Sequence, residues 1–63
     1  MNKYLLARLR AGIKQKEVAE KIGVDQSAVS MWERGKNKPR PQHLFRLAEL
    51  YGCTVDELLK EVD

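Results

Sequence analysis

Sixty-three residues fill one small domain with one core, and a second domain or a large catalytic cavity does not fit in that length. Hydrophobic residues, at 43%, are too frequent for a disordered chain, and two prolines and four glycines leave room for several helices. The net charge of +3 is unevenly placed: residues 1–40 carry ten Lys or Arg against four Asp or Glu, and residues 41–63 carry two against five. A basic face for a polyanion backed by a different surface fits that distribution, and so do ordinary solvated helix faces.

The lone Cys53 has no internal disulfide partner, and with only His43 beside it builds no structural zinc site. No metal or cofactor is expected, and an unpaired thiol suits a reducing cytosol. The apolar run Tyr4-Leu5-Leu6-Ala7 ends at Arg8, too short for a signal peptide or a membrane span.

Five helical segments follow in chain order, within a single all-α domain over residues 1–63. The first runs from about Asn2 to Ala11. Asn2 caps its free amides, and Gly12 takes the left-handed conformation at its end. Tyr4, Ala7 and Ala11 form its inward stripe. Leu5, Leu6 and Leu9 exceed that stripe, and either pack on the last helix or belong to a dimer patch. The second helix spans Gln15 to Ile22, with Val18, Ala19 and Ile22 on one face. Lys14 stands where its cap belongs, and an ammonium cannot accept an amide hydrogen; Ser or Thr there would be worth roughly 1 kcal/mol.

The third helix runs from about Gln26 to Arg34, with Asp25 expected to cap it by accepting backbone amides. Val29 and Trp32 face inward and Gly35 ends it. Lys36-Asn37-Lys38-Pro39-Arg40 reads as a basic loop, because a residue before proline avoids helix. Pro41 suits the first turn of a fourth helix that buries Leu44, Leu47, Ala48 and Tyr51 and closes at Gly52. His43 reads as a solvated residue of that helix, and Cys53 as the filler of a small apolar site. Thr54-Val55-Asp56-Glu57 has the form of a capping box, opening a last helix that contains Leu58, Leu59 and Val62. No window alternates with a period of two, so no strand is expected.

Two short helices between Gln15 and Arg34 are thus joined by about three residues with a glycine at the turn. Ala19 is small where the helices must cross. Val18, Ile22, Val24, Val29 and Trp32 point inward and lock the angle, and Leu47 joins them from the fourth helix. A fixed angle that lets the second helix of the pair project into a major groove is the helix-turn-helix requirement.

The stretch Gln15-Lys16-Glu17-Val18-Ala19-Glu20-Lys21-Ile22-Gly23-Val24, followed by Asp25-Gln26-Ser27-Ala28-Val29-Ser30-Met31-Trp32-Glu33-Arg34-Gly35 and by Pro39, resembles the Cro/CI-type (lambda-repressor-like, XRE) helix-turn-helix regulators. Leu44 to Leu50 and Val55-Asp56-Glu57-Leu58-Leu59 are similar to the family's fourth and fifth helices. The resemblance implies a compact five-helix lambda-repressor-like domain with the helix-turn-helix at helices 2 and 3. It also implies a cytoplasmic, double-stranded DNA-binding regulator from a prokaryote, phage or mobile element, a repressor by preference. Position by position it implies base reading by Gln26, Ser27 and Met31, with Ser30 on the same side. Phosphate contacts fall to Gln15, Lys36, Asn37, Lys38 and Arg40. Arg8 and Glu33 match a recurring ion pair between the first and third helices.

Two positions depart from the family. Lys14 replaces the usual Ser or Thr, adding a phosphate contact where a cap is lost. Met31 replaces an often polar or basic reader; exposed in the groove it would cover a thymine methyl, and next to Trp32 it would be partly core. Gln26 and Ser27 read as plain surface residues outside this context. No nucleophile–base pair or phosphate loop supports an enzyme, and no small-molecule ligand or membrane is expected. Pairing into a homodimer on a palindrome would use the acidic C-terminal helices. The alternative is a protein-interaction module, such as an antitoxin or bridging coactivator that keeps the fold.

Overall fold

The computed structural model describes residues 2–60. Its five helices are α1 (Lys3–Ala11), α2 (Gln15–Ile22), α3 (Gln26–Glu33), α4 (Pro41–Tyr51) and α5 (Val55–Leu59), with no strand among the described residues. α1 packs against α3, α4 and α5, while α2 packs against α3 and α4. No helix among the described residues is long and apolar enough to cross a membrane, and no group of His, Cys, Asp or Glu is arranged to hold a metal.

The core follows the apolar periodicity. Val18, Ala19 and Ile22 of α2, Val29 and Trp32 of α3, Leu44, Leu47, Ala48 and Tyr51 of α4, and Leu58 of α5 form one buried cluster. Val18, Val29 and Leu47 are sealed from solvent at its centre. Tyr4, Ala7 and Ala11 lie against it from α1, half-buried as their stripe requires, and Val24 and Cys53 join them from the turns. Of the surplus leucines on α1, Leu6 lines a groove that Leu58 of α5 also lines, whereas Leu9 is 53% exposed.

Helix ends follow the capping chemistry in part. Asn2 Oδ1 accepts from Leu5 N at 3.0 Å, and Lys14 makes no capping bond. At α3 the structure corrects the expectation: Asp25 sits in the N-cap conformation, yet its side chain accepts no amide hydrogen. Its carboxylate stays hydrated, and its charge still complements the positive end of α3. α3 stops at Glu33, with Arg34 as its cap residue.

The capping box of α5 is half made. Thr54 Oγ1 accepts from Glu57 N at 3.1 Å, but no return bond reaches the Thr54 amide. Glu57 lies instead in a groove with Arg10 and Cys53. Burial, then the Glu57 charge, pushes the Cys53 thiol up. Val62, expected in this helix, lies outside the described residues.

His43 also departs from its expected role. It is half-buried, with its ring centroid 6.2 Å from that of Trp32 and tilted by 34°, and its Nδ1 is buried without a partner. The aromatic neighbour draws the imidazole inward, since His43 lies one position before Leu44 at the edge of the α4 core face.

Trp32 therefore touches the middle of the protein from α3 and is 5% exposed. Truncating a buried aromatic costs about 3–5 kcal/mol, close to the whole stability of so small a domain. Trp32→Ala is expected to be largely unfolded at room temperature by circular dichroism. A cooperative melt near the wild-type midpoint would remove Trp32 from the core.

Candidate nucleic-acid interface

The turn between α2 and α3 is closed by backbone chemistry. Gly23 has φ +85°, and Val24 N donates back to Ala19 O at 3.0 Å. Ala19 O also accepts from Gly23 N at 2.8 Å, so both amides of the turn close on one carbonyl, and glycine reaches the left-handed conformation without strain. Ala19 is 5% exposed where α2 meets α3.

A second hold on this turn comes from α4, and sequence reasoning missed it. Arg46 donates from Nη1 to Ile22 O at 3.1 Å and from Nη2 to Lys21 O at 2.6 Å. Two of the last carbonyls of α2 are thereby satisfied, and a cation stands at the negative end of its dipole. Nothing in the sequence marked Arg46 apart from other exposed arginines, because its partners are backbone atoms that only the fold brings near.

The far end of α3 is held from α1. Glu33 is 8% exposed, the one buried charged residue among those described. Arg8 grips it bidentately, Nε to Oε2 at 2.6 Å and Nη2 to Oε1 at 3.0 Å. This is the ion pair that the family resemblance implies. Gln15 Nε2 adds a third donor to Oε1 at 2.9 Å, and Arg8 Nη1 also donates to Ile13 O at 3.0 Å. The hydrogen bond to Glu33 raises the proton affinity of Arg8 against the opposing effect of burial. Burial, reinforced by the Glu33 charge, pushes the nearby Tyr51 phenol well above its ordinary value.

Asn2 completes the bracket by donating from Nδ2 to Trp32 O at 2.6 Å while its Oδ1 caps α1. One amide thus ties the start of α1 to the end of α3. The sequence showed only the cap.

On the outer side of α3 the expected residues are found as follows. Gln26 and Ser27 are exposed in its first turn, Ser30 is half-buried, and Met31 is 38% exposed. Gln26 Nε2 lies 3.4 Å from Gln15 Oε1, so Gln15 stands between the buried Glu33 and the exposed Gln26. Met31 is out of the core, and Asn37 Nδ2 approaches its sulfur at 3.6 Å. An open depression is lined by Ser27, Met31 and Asn37 together with Val24 and Ala28.

The basic loop flanks this surface. Lys36 N donates to Met31 O at 2.9 Å across Gly35, whose φ is +74°. Pro39 is buried and anchors the loop, leaving Lys36, Asn37, Lys38 and Arg40 exposed. Lys14 is exposed ahead of α2. The structure thus brings Gln15 and Gln26 together, and Met31 with Asn37. Phe45, 60% exposed on α4, was also missed; it sits one position past Leu44, off the stripe of Leu44, Leu47 and Ala48.

Comparison with known proteins agrees with this architecture. A helix-turn-helix family model matches residues 6–58. The chain is 40% identical over 53 residues to the HTH-type transcriptional regulator ImmR of Bacillus subtilis, covering 84% of this chain and 42% of that protein. It is 38% identical over 56 residues to the HTH-type transcriptional activator BcrR of Enterococcus faecalis, covering 86% of this chain and 28% of that one. Against Repressor protein C2 of Salmonella phage P22 the identity is 34% over 53 residues, 84% of this chain and 24% of the repressor. The chain spans less than half the length of each of these relatives. No solved structure shows significant similarity to it.

The Arg8–Glu33 pair can be tested directly. Removing one member of a buried pair strands the other charge and costs about 3–5 kcal/mol, whereas removing both costs less. In denaturant melts Arg8→Met is expected to be more damaging than Arg8→Met combined with Glu33→Leu. Losses that simply add would show that the two residues do not interact.

Proposed function

The chain belongs to the Cro/CI-type helix-turn-helix family, and from that premise we propose that it is a sequence-specific double-stranded DNA-binding regulator of transcription. In this reading it acts as a repressor and binds a palindromic operator as a homodimer. The observation that carries it is the outer face of α3. Gln26, Ser27 and Met31 are exposed there beside a loop whose Lys36, Lys38 and Arg40 all reach solvent. A helix held at both ends, with polar tips outward and cations alongside, fits a major groove between two phosphate backbones.

Base edges fall to Gln26, Ser27, Ser30 and Met31. Phosphates fall to Lys14, Lys36, Asn37, Lys38 and Arg40, with Gln15 divided between a phosphate and its bond to Glu33. Gln15 occupies one side of the Gln26 amide, so the remaining donor and the Oε1 acceptor are the groups left for a base. An adenine N6 and N7 edge accepts that pattern. Pairing draws support from Phe45 on α4, 60% exposed, since aromatic surface of this kind is covered in dimers. An enzymatic role has no support, as the relatives are regulators by name.

Selection of bound duplexes from a random library is the primary test. A palindromic consensus with half-sites about 34 Å apart is expected, and no enrichment over the starting library would defeat the reading.

Within that reading, Lys36→Ala, Lys38→Ala or Arg40→Ala should weaken binding to selected and random duplexes alike. Each should flatten the salt dependence by roughly one unit of slope for each phosphate left unneutralised. An unchanged slope would take the loop off the backbone.

Gln26→Ala should instead cost roughly 1–3 kcal/mol on the selected duplex and far less on random DNA. Met31→Gln should change the preferred base at one position, by replacing a thymine-methyl contact with a hydrogen-bonding group. If both variants keep the wild-type ratio of specific to random binding, α3 is not the reader.

A further inference from the structure

A groove opens between the start of α1, the α3–α4 loop and the end of α5, away from the Gln26 tip. Its volume is about 420 Å3, within the ~300–1,000 Å3 of small-molecule sites. Its apolar lining is Tyr4, Leu58, Leu59 and the accessible edge of Trp32. Its charged lining is Lys3, Lys38 and Lys60, one from each of the three elements, and no carboxylate lines it among the described residues.

We propose that this groove binds a small amphipathic anion, a carboxylate with a short hydrocarbon or aryl body, and that its occupation opposes DNA binding. The second half rests on the function proposed above. Lys3, Lys38 and Lys60 all line the one concavity, and an anion seated among them is attracted by each ammonium. The aromatic and leucine lining favours an apolar body. A bare phosphodiester would satisfy the lysines and leave that lining wet, so it fits less well than an amphiphile.

The link to DNA is geometric. Gly35 and Lys38 belong both to the groove and to the basic loop, and Trp32 lines the groove while forming the inner face of α3. An anion paired with Lys38 takes a cation from the phosphate-contacting set. The coupling is reciprocal: the duplex weakens the anion by the same factor as the anion weakens the duplex.

Octanoate serves as the probe, with octanol supplying the same chain without charge and acetate the charge without the chain. Trp32 is the only tryptophan, so its emission reports on the groove directly. Amide chemical shifts locate the contact. Saturable octanoate binding is expected, with shifts at Gly35, Lys38, Leu59 and Lys60. Octanol and acetate should bind at least about tenfold more weakly, because each lacks one of the two contributions.

Lys3→Gln combined with Lys60→Gln should weaken octanoate roughly tenfold and leave the melting curve and the octanol response unchanged. Lys16→Gln, on the exposed side of α2, should change nothing. Equal binding of octanol, an unchanged affinity in the double variant, or shifts elsewhere would overturn the site. Groove shifts that follow protein concentration without octanoate would assign the groove to a second copy, and would also overturn it. These arms contain no DNA, so their failure leaves the DNA-binding reading standing. Octanoate bound without loss of affinity for the selected duplex would overturn the antagonism.

Discussion

A buried carboxylate on the last turn of α3 is the constraint around which the rest is arranged. Glu33 lies at the helix end where the dipole is already negative, and it is out of water. Left alone, a buried charge in that position would not be tolerated. Arg8 supplies a two-pronged cation and Gln15 a further donor, so three segments of chain must meet for Glu33 to be satisfied. The pair adds little net energy over an apolar filling of the same shape. What it does is restrict α3 to one position relative to α1 and α2, since any other leaves the charge stranded.

The opposite end of the α2–α3 pair is fixed by different means. There the backbone folds on itself through Gly23, and Arg46 reaches across from α4 to the last carbonyls of α2. Between the two fixings lie Val18, Ala19, Val29, Trp32 and Leu47, whose burial sets the spacing. Polar contacts at both ends and apolar packing between them hold α3 without calling on its outward residues for the core. Gln26, Ser27 and Met31 stay outside the core for that reason, and their polar and thioether groups are left facing outward.

Sequence and structure agree where the controlling physics is local or periodic. The five helices, the glycine stops of α1, α2 and α4, the core stripes on α2, α3 and α4 and the exposure of the basic loop all follow from spacing and capping. The Arg8–Glu33 pair came from family resemblance, since residues 25 positions apart carry no local mark of their contact. Asp25 and Glu57 were misjudged because a carboxylate near a helix start can cap or stay hydrated, and composition does not decide between them. His43 was misjudged because its position on the helix is marginal and only the neighbouring indole tips it inward. Arg46 and the second bond of Asn2 were invisible, as both engage carbonyls whose availability depends on the tertiary fold.

The hold of Arg46 on α2 has a bearing on the order in which the protein comes into being. Its two acceptors lie 24 and 25 positions earlier in the chain. As the polypeptide leaves the ribosome, α2, the turn and α3 are all outside before the residue that clasps α2 has emerged. Leu44, Leu47 and Tyr51, which cover the core, emerge in the same stretch as that residue. A nascent chain ending near Arg40 therefore has the polar and basic groups of the outer face but not the geometry that arranges them. Emergence of α4 supplies the clasp and the core cover together, so the partly made chain has little opportunity to engage a polyanion in a half-formed arrangement.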